Sequence, residues 1–306
     1  MSAIGVLVMS YGTPESLDGV EAYYTHIRHG HPPTPEQLED LTSRYQAIVG
    51  GVFPLRENTN RQVEALQRTL DERAGAGRYR CYQGLKHAAP FIEDGVAAMA
   101  ADGVKEAVAI VLTPQFSSMS VGGYLKRARE EARKHGIRLA EVESYHLHPE
   151  LIDALNKRVT NGLEKLGDDK EGALVLFSAH SLPAKIVEMK DPYPEQLLET
   201  SKAIADAAGI GRWQFTWQSA GQTGTPWLGP DILDTLDTLA REGTKAVLVA
   251  PVGFVSDHLE VLYDLDIEAK KFAAEKGIHL ERIDMLNDDS QYMNALADSI
   301  VNAANK

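Results

Sequence analysis

Thiols and long apolar runs are the scarcest features of this 306-residue sequence. Its single cysteine, Cys81, excludes a disulfide framework, a cysteine-rich zinc site and a four-thiolate iron–sulfur cluster. No run approaches the ~18–20 apolar residues that a membrane-spanning helix needs. The early run "AIGVLVMSYG" has no basic segment before it and predicts a strand, not a signal peptide. We therefore expect a cytoplasmic protein that contacts no membrane.

Positive charge and nucleotide-binding motifs are also lacking. There are 31 Lys and Arg residues against 44 Asp and Glu, a net charge of −13, whereas nucleic-acid binders usually carry a basic footprint. The first strand is not followed by G-x-G-x-x-G, and the sequence has neither G-x-x-x-x-G-K-[ST] nor G-x-S-x-G. These absences disfavour nucleic acids, dinucleotides and nucleoside triphosphates as ligands, and esterase-like serine chemistry as an activity.

Eight short β-rich runs alternate with longer helical patterns, which is typical of parallel sheets covered by helices. Several of the runs are continuously apolar, as expected of strands that are buried on both faces. The predicted strands are 4–9, 79–84, 107–114, 138–144, 173–179, 213–219, 246–254 and 278–283. Eight strands could form either open sheets or one closed barrel.

The two halves of the sequence resemble each other, and this favours open sheets. "FIEDGVAAMAADGVKEAVAIVLTPQFS" matches "ILDTLDTLAREGTKAVLVAPVGFVS" in order of helix, Gly turn, Lys and apolar strand. We predict an α/β fold of two similar Rossmann-like domains, 1–150 and 151–306, each with a four-stranded parallel sheet flanked by helices. Open α/β sheets bind ligands at the carboxyl ends of their strands. Tyr11 and His180 follow equivalent strands, so we expect them to face a cleft between the domains.

One histidine and three acids follow strands of the second half. His180 lies in "FSAHSLP", and Glu260, Asp264 and Glu268 recur every four residues in "DHLEVLYDLDIE". On one α-helix such carboxylates would share a face and repel, so the face is either solvated or meets a cation. Imidazole and carboxylate without thiolate suit Fe(II), Mn(II), Co(II) or Zn(II). The plainer interpretations are a structural histidine and a solvated helix face.

The first half supplies candidates for binding an anionic or flat ligand. Cations and tyrosines follow the first strand, and further cations or hydroxyls follow the next two strands. An aromatic side chain in a Gly/Pro-rich loop of the second half is either a packing residue or a wall for a flat ligand. These candidates are Tyr11, Arg28, Arg44, Tyr45, Lys86, His87, Tyr124 and Trp227.

Several motifs together resemble the ferrochelatase family over essentially the whole chain. They are "LVMSYGTP", "YYTHIRHGHPP", "FIED", "SAHSLP", "DPYPEQL", "WQSAGQTGTPWLGPD" and "PVGFVSDHLEVLYDLDIEAK". The resemblance is closest to the short, soluble Gram-positive form that acts on coproporphyrin III. It implies a chelatase-like fold and a lyase of haem biosynthesis that inserts Fe(II) into the porphyrin without ATP.

The resemblance also implies residue roles. His180 and Glu260 would be the catalytic pair at the metal, and Tyr11 would be an axial neighbour of the iron in the product. Asp264 and Glu268 would extend an acidic ridge that holds a second, hydrated metal ion such as Mg²⁺. Propionates would be bound by Arg28, Arg44, Tyr45 and Tyr124.

Two positions depart from the family pattern. Phe53 stands where relatives have a serine at the substrate site, which puts one propionate hydrogen bond in doubt. His29 stands where relatives often have a second arginine. Both changes fall in the segment that the resemblance assigns to porphyrin binding.

The remaining expectations concern ligands and alternatives. Coproporphyrin III and Fe(II) are the expected partners, and we expect neither a tightly bound cofactor nor an iron–sulfur cluster. We further expect a monomer that contacts the next enzyme of haem synthesis transiently. Two alternatives stay open: a chelatase for another metal or tetrapyrrole, such as protoporphyrin IX or sirohydrochlorin, and a non-catalytic haem or porphyrin carrier.

Overall fold

The computed structural model describes residues 3–49, 53–221 and 224–306. The chain divides into two compact units. The N-terminal unit comprises 1–145, 256–259 and 287–306, and the C-terminal unit comprises 146–255 and 260–286. This division differs from the predicted one into 1–150 and 151–306 at residues 146–150, at 256–259 and at the end of the chain. The last helix belongs to the first unit because it packs on that unit's strands.

The N-terminal unit is built on one parallel sheet in the order β2-β1-β3-β4. Its strands are β1 (Ile4–Ser10), β2 (Tyr79–Leu85), β3 (Glu106–Val111) and β4 (Arg138–Val142). Its helices are α1 (Val20–Ile27), α2 (Pro35–Val49), α3 (Pro54–Ala74), α4 (Ile92–Ala101), α5 (Val121–Lys134) and α11 (Ser290–Ala304). Successive strand residues point to opposite faces. Leu7 and Met9 pack in the cluster formed with α4 and α5, while the equally buried Val6 and Val8 lie outside that cluster.

The C-terminal unit repeats this topology, with a parallel sheet in the order β6-β5-β7-β8. Its strands are β5 (Leu174–His180), β6 (Trp213–Gln218), β7 (Ala246–Ala250) and β8 (His279–Arg282). Its longer helices are α6 (Pro149–Lys165), α7 (Tyr193–Ala208) and α8 (Ile232–Arg241), and shorter ones follow β7. The two separate sheets confirm the predicted open α/β architecture and exclude the barrel.

All eight predicted strands are present, but five end earlier than predicted, two of them by three or four residues. β3 ends at Val111 and not at residue 114, and β7 ends at Ala250 and not at residue 254. Pro114 and Pro251 lie in the lost segments. Proline has no N–H to give to a sheet ladder, so these strands stop before the apolar run does.

The repeat extends to the connection between the second strand and the following helix of each unit. The Leu85 N–H donates to the Pro90 carbonyl (2.8 Å), and the Trp217 N–H donates to the Pro230 carbonyl (3.1 Å). This pairing makes Leu85 the structural equivalent of Trp217. The residues directly after them therefore occupy matching positions at the carboxyl edges of their sheets.

The acidic segment after β7 differs from the single helix that its four-residue spacing predicts. It comprises α9 (Leu259–Leu262), a π-helical segment (Asp264–Ala269) and α10 (Lys270–Glu275). The Glu268 N–H donates to the Tyr263 carbonyl (2.9 Å), five residues back. A π-helical turn is wider than an α-helical turn, so side chains four apart no longer stack. Asp264 is accordingly buried whereas Glu268 is exposed.

Within the ranges that the structure describes, no helix combines the length and the apolar character that crossing a bilayer requires. The longest helix, α3, has 21 residues and carries charged side chains along much of its length. This agrees with the apolar runs of the sequence, which are all short.

The close approach of Gly253 to β5 gives a test of the fold next to His180. A Cβ at residue 253 would lie 2.4 Å from the Ala179 Cβ and 2.9 Å from the Ala179 Cα. Gly253→Ala should therefore destabilise the protein by about 1–3 kcal/mol, as overpacking does. Urea denaturation measures the change. Gly211→Ala is the matched control, because a Cβ there meets no atom within 4 Å. Equal stability of the two variants would contradict this packing.

Candidate active site

His180 is the last residue of β5 and lies in register with Gln218 at the end of β6. The His180 Nδ1 is hydrogen-bonded to the Ser181 carbonyl, which can only accept, so Nδ1 carries a proton. The other ring nitrogen, Nε2, faces the Glu260 Oε1 at 3.4 Å. Both side chains keep about a third of their surface exposed, at 32% and 35%. Nε2 is therefore the nitrogen that is available for a proton or a metal ion.

The surroundings of His180 raise its pKa to about 9. Burial has the largest single effect and acts in the opposite direction, because it disfavours the charged ring. The charge and hydrogen bond of Glu260, the Ser181 carbonyl and the charge of Asp264 together outweigh it. His180 and Glu260 thus form an imidazolium–carboxylate pair at neutral pH. The pKa of this ring is thus well above the ordinary histidine value of 6.5.

Two aromatic rings border His180 in the C-terminal unit. The ring centroid of Trp227 lies 6.3 Å from that of His180, and the centroid of Phe254 lies 6.5 Å away. Gly221 permits this position of Trp227, because a Cβ at residue 221 would lie 2.4 Å from the indole ring. Trp227 was predicted as a ligand wall. Phe254 was missed, although it stands in the quoted motif "PVGFVSDHLE".

The other acids after Glu260 have separate environments. The Ser219 hydroxyl donates to the Asp264 carboxylate, and Arg282 donates to both oxygens of Asp266 at 2.7 and 2.8 Å. Glu268 is exposed. Over the described parts of the chain, no group of three or more His, Cys, Asp and Glu side chains is placed to hold a metal ion. Metal binding by His180, Glu260, Asp264 and Glu268 therefore stays a prediction.

In the N-terminal unit, predicted binding residues meet at the carboxyl ends of β1 and β2. The Lys86 N–H donates to the Ser10 carbonyl and the His87 N–H to the Tyr11 carbonyl, both at 3.0 Å. The ring centroids of Tyr11 and His87 are 4.6 Å apart, and Tyr11 is 42% exposed. The Lys86 Nζ lies 5.0 Å from the ring centroid of buried Tyr124. The four side chains therefore form one cluster with an exposed phenol and a cation.

Two residues of this cluster were missed by the sequence reasoning. His26 places its Nδ1 3.0 Å from the His87 Nδ1. Arg127 donates to both oxygens of Glu93 (2.8 and 2.6 Å) and to the Lys86 carbonyl (2.9 Å). Their signals were weak: His26 lies three residues before the more obvious His29, and Arg127 lies within a charged helix.

Burial and neighbouring cations keep His87 neutral. Burial has the largest effect, followed by the charges of Lys86, His26, Arg127 and His29, and together they lower the His87 pKa to about 3. Burial and then Arg127 also lower the pKa of Lys86. A neutral imidazole beside Tyr11 contributes ring surface and hydrogen bonding without adding charge.

The remaining predicted binding residues of the N-terminal unit do not join this cluster and have separate contacts. The Arg28 Nε donates to the His31 carbonyl (3.2 Å), and Arg44 forms an ion pair with Asp40 (3.1 Å). Tyr45 and Phe53 are buried in a small apolar cluster with their ring centroids 4.6 Å apart. Packing thus explains both rings, and Phe53 fits there where a serine would not fill the space. Contact of these four residues with a ligand stays a prediction.

The sequence matches the family model described as ferrochelatase over residues 3–304. It is 49% identical to the coproporphyrin III ferrochelatase of Halalkalibacterium halodurans over 296 residues, which cover 96% of this chain and 95% of the relative. It is 47% identical to the coproporphyrin III ferrochelatase of Bacillus subtilis, with 96% of each chain covered. The chain therefore belongs to the ferrochelatase family.

Solved structures support the fold. SirB from Bacillus subtilis with Fe³⁺ has a TM-score of 0.62 at 11% identity, and 99% of this chain and 96% of that chain are covered. CbiX, described as the terminal enzyme of sirohaem biosynthesis in denitrifying bacteria, has a TM-score of 0.51 at 11% identity, with 98% and 99% covered. At such low identity the likeness concerns the fold alone, which is the chelatase-like α/β fold that the sequence predicts.

Glu260→Gln tests the electrostatic pairing of His180. Burial lowers the His180 pKa, and without the Glu260 carboxylate fewer groups raise it. The His180 pKa should therefore fall from about 9 towards or below 6.5. The pair's contribution to stability is complete below the unfolded pKa of about 6.5 and is lost as the pH rises through about 9. NMR titration of the imidazole and denaturation at pH 6 and pH 10 measure both effects.

Glu268→Gln is the control for this titration, because Glu268 is exposed and is not among the groups that shift the His180 pKa. It should leave the titration curve in place. An unchanged His180 pKa in Glu260→Gln would refute the pairing.

Proposed function

We propose that this protein inserts ferrous iron into coproporphyrin III, giving Fe-coproporphyrin III for haem synthesis and releasing two protons. The observation that carries the proposal is the His180–Glu260 pair, with Nε2 and Oε1 3.4 Å apart at the end of β5. The chain's membership of the ferrochelatase family and its relatives named coproporphyrin III ferrochelatase give this pair its substrates. The protein is a metal chelatase and a lyase.

Metal insertion meets a geometric obstacle in the porphyrin. The free-base ring is flat and its four nitrogens point inwards, so an approaching ion cannot reach their lone pairs without leaving its hydration shell. Holding the ring out of plane turns these lone pairs towards the metal, and remote binding energy supplies that strain. Propionates bound by cations and a macrocycle held against aromatic rings provide such energy.

The proposed porphyrin-binding residues combine both features. Arg28, Arg44, Tyr45 and Tyr124 are assigned to propionates by the family pattern, and Lys86 adds a cation beside Tyr124. Tyr11, His87 and Trp227 offer rings to the macrocycle, and Tyr11 is the proposed axial neighbour of the iron in the product. The exposure of Tyr11 supports this role.

The high basicity of His180 suggests an order of events. An incoming Fe²⁺ must displace the Nε2 proton, because a metal ligand has to be deprotonated, and Glu260 balances part of the metal's charge. When the metal moves into the ring, the vacated pair is left as a strong base. One pyrrole proton then has an acceptor whose pKa is about 9 in the metal-free protein, while the displaced Nε2 proton and the second pyrrole proton pass to water. The pair titrates as a unit, so the proton belongs to both residues.

Finer assignments extend this proposal. Asp264 and Glu268 would guide metal or protons along an acidic ridge, where Mg²⁺ is the candidate for a second, hydrated ion. We further propose that the protein needs no tightly bound cofactor or iron–sulfur cluster, and that it acts as a cytoplasmic monomer. Product transfer would then occur through brief contact with the next enzyme of the pathway.

His180→Ala and Glu260→Gln test the catalytic pair. Each removes a group that would bind the metal and accept a proton, so insertion of Fe²⁺ into coproporphyrin III should fall by about 10²–10⁴-fold, the usual effect of losing a general base. Anaerobic absorbance assays follow the loss of the free-base spectrum. A carrier would bind porphyrin without metallating it, so binding without iron insertion by the wild type would favour the carrier. Unchanged turnover in both variants would refute the role of the pair. Faster turnover of protoporphyrin IX than of coproporphyrin III by the wild type would overturn the substrate assignment.

Arg28→Ala tests the propionate site. Loss of one cation weakens binding of the carboxylates in both ground and transition states, so the KM for coproporphyrin III should rise more than kcat falls. Arg138→Ala is the matched control, because Arg138 begins β4 and lies at the amino end of the sheet. Equal KM values for the Arg28→Ala variant and the wild type would remove Arg28 from the site.

A further inference from the structure

Gln218 is a fully buried polar side chain that the proposed function does not use. It ends β6, directly opposite His180 in the ladder between β5 and β6. The Ser178 Oγ lies 2.8 Å from the Gln218 Oε1, and the Gln218 Nε2 lies 3.0 Å from the Glu260 carbonyl oxygen. A buried amide keeps such partners because leaving them unmade costs about 1–3 kcal/mol each.

The chemistry of the partners fixes the orientation of the Gln218 amide. The Glu260 carbonyl can only accept, so the amide must turn its NH₂ group towards it. The amide oxygen then faces the Ser178 hydroxyl, which donates. The result is a chain from β5, through the end of β6, to the backbone of the residue that faces His180.

The next residue, Ser219, holds the same acidic segment at a second point. Its hydroxyl donates to the Asp264 carboxylate and lies 3.5 Å from the Gln218 Nε2. Ser219 has a φ of +58°, a left-handed conformation that is uncommon for residues other than glycine. Such a conformation persists where surrounding contacts determine it. Gln218 at the end of β6 and Ser219 directly after it therefore hold the backbone at Glu260 and the side chain of Asp264.

We propose that Gln218 and Ser219 are positioning residues that hold Glu260 at metal-binding distance from His180. The 3.4 Å separation of His180 and Glu260 joins two different segments of the chain. α9 has only four residues, and Tyr263 alone separates it from the π-helical segment, so its own backbone hydrogen bonds restrain Glu260 only weakly. The hydrogen bond from Gln218 ties the Glu260 backbone to the strand beside His180. This inference rests on the proposed function only in naming a metal as the ligand.

Gln218→Met is the direct test, because methionine has a similar length and shape but cannot donate to the Glu260 carbonyl. The KM for Fe²⁺ should rise or kcat should fall by about 10–100-fold, the range found when a hydrogen-bonding neighbour of a metal ligand is lost. The KM for coproporphyrin III should stay unchanged. At pH 7.5 the ring-nitrogen NMR signals of His180 should change from those of a doubly protonated ring towards a neutral one.

Thr216→Val is the matched control. Thr216 is also fully buried on β6, and its hydroxyl is bonded to the Pro230 carbonyl (3.0 Å) and the Thr235 hydroxyl (2.8 Å). This variant should lower stability while leaving the KM for Fe²⁺ and the His180 signals unchanged. Equal changes in both variants would mean general loosening of the strand and would overturn the proposal.

Unchanged metal kinetics together with unchanged His180 signals in Gln218→Met would also overturn it. If that variant does not fold, Ser178→Ala replaces it, because it removes the donor that orients the amide and should change the same readouts in the same direction. The NMR readout needs neither metal nor porphyrin. Full activity in His180→Ala would therefore refute the catalytic role while leaving the positioning by Gln218 separately measurable.

Discussion

The contact between the His180 imidazole and the Glu260 carboxylate is the interaction on which the C-terminal unit's chemistry depends. A charged ring at the end of a buried strand is unfavourable alone, and burial by itself would lower the His180 pKa. The carboxylate reverses that effect only because it stands 3.4 Å away. The separation depends in turn on the strand ladder that places His180 beside Gln218 and on the hydrogen bond from Gln218 to Glu260.

Two histidines near strand ends have pKa values that their environments shift in opposite directions. His87 lies among cations, and burial acts in the same direction as their charges, so its pKa falls to about 3. His180 lies beside carboxylates, which outweigh burial and raise its pKa to about 9. The first ring stays neutral and suits contact with a flat ligand. The second is charged at neutral pH and would have to release its Nε2 proton in order to bind a metal ion.

The architecture could be predicted from the sequence because buried parallel strands leave a strong apolar signal. The strands, their open arrangement and the repeat of the two halves followed from that signal and from the Gly turns. The placement of α11 on the first unit could not be predicted. The apolar pattern of an amphipathic helix shows which face is buried but not which sheet that face packs against. His180 and Glu260 were predicted from their positions after strands and from the family motifs, whereas Gln218 was missed. A glutamine in an apolar strand becomes informative only when its hydrogen-bond partners are known.

The acidic segment after β7 shows why residue spacing alone did not predict which side chains share a face. A spacing of four residues predicts a shared face only if the backbone is α-helical, and the π-helical segment from Asp264 to Ala269 removes that condition. Asp264 turns to the Ser219 hydroxyl, and Asp266 turns to Arg282. The three carboxylates that were expected to repel one another thus have separate environments, because Glu260 faces His180, Asp264 accepts from Ser219 and Glu268 is exposed. Like-charge repulsion at this spacing is resolved by a change of helix type and not by solvation alone.

The repeated topology explains why the chemistry differs between the units although the sheets do not. The hydrogen bonds of Leu85 and Trp217 to the following prolines make Lys86 and Gln218 equivalent in position. Lys86 extends a cation over Tyr124, whereas Gln218 directs an amide to the backbone of Glu260. The equivalent position therefore presents a cation in one unit and, in the other, an amide that holds the Glu260 backbone. The sheet determines where a ligand can bind, and the residues at and directly after each strand end determine the charge of the ligand that suits that place.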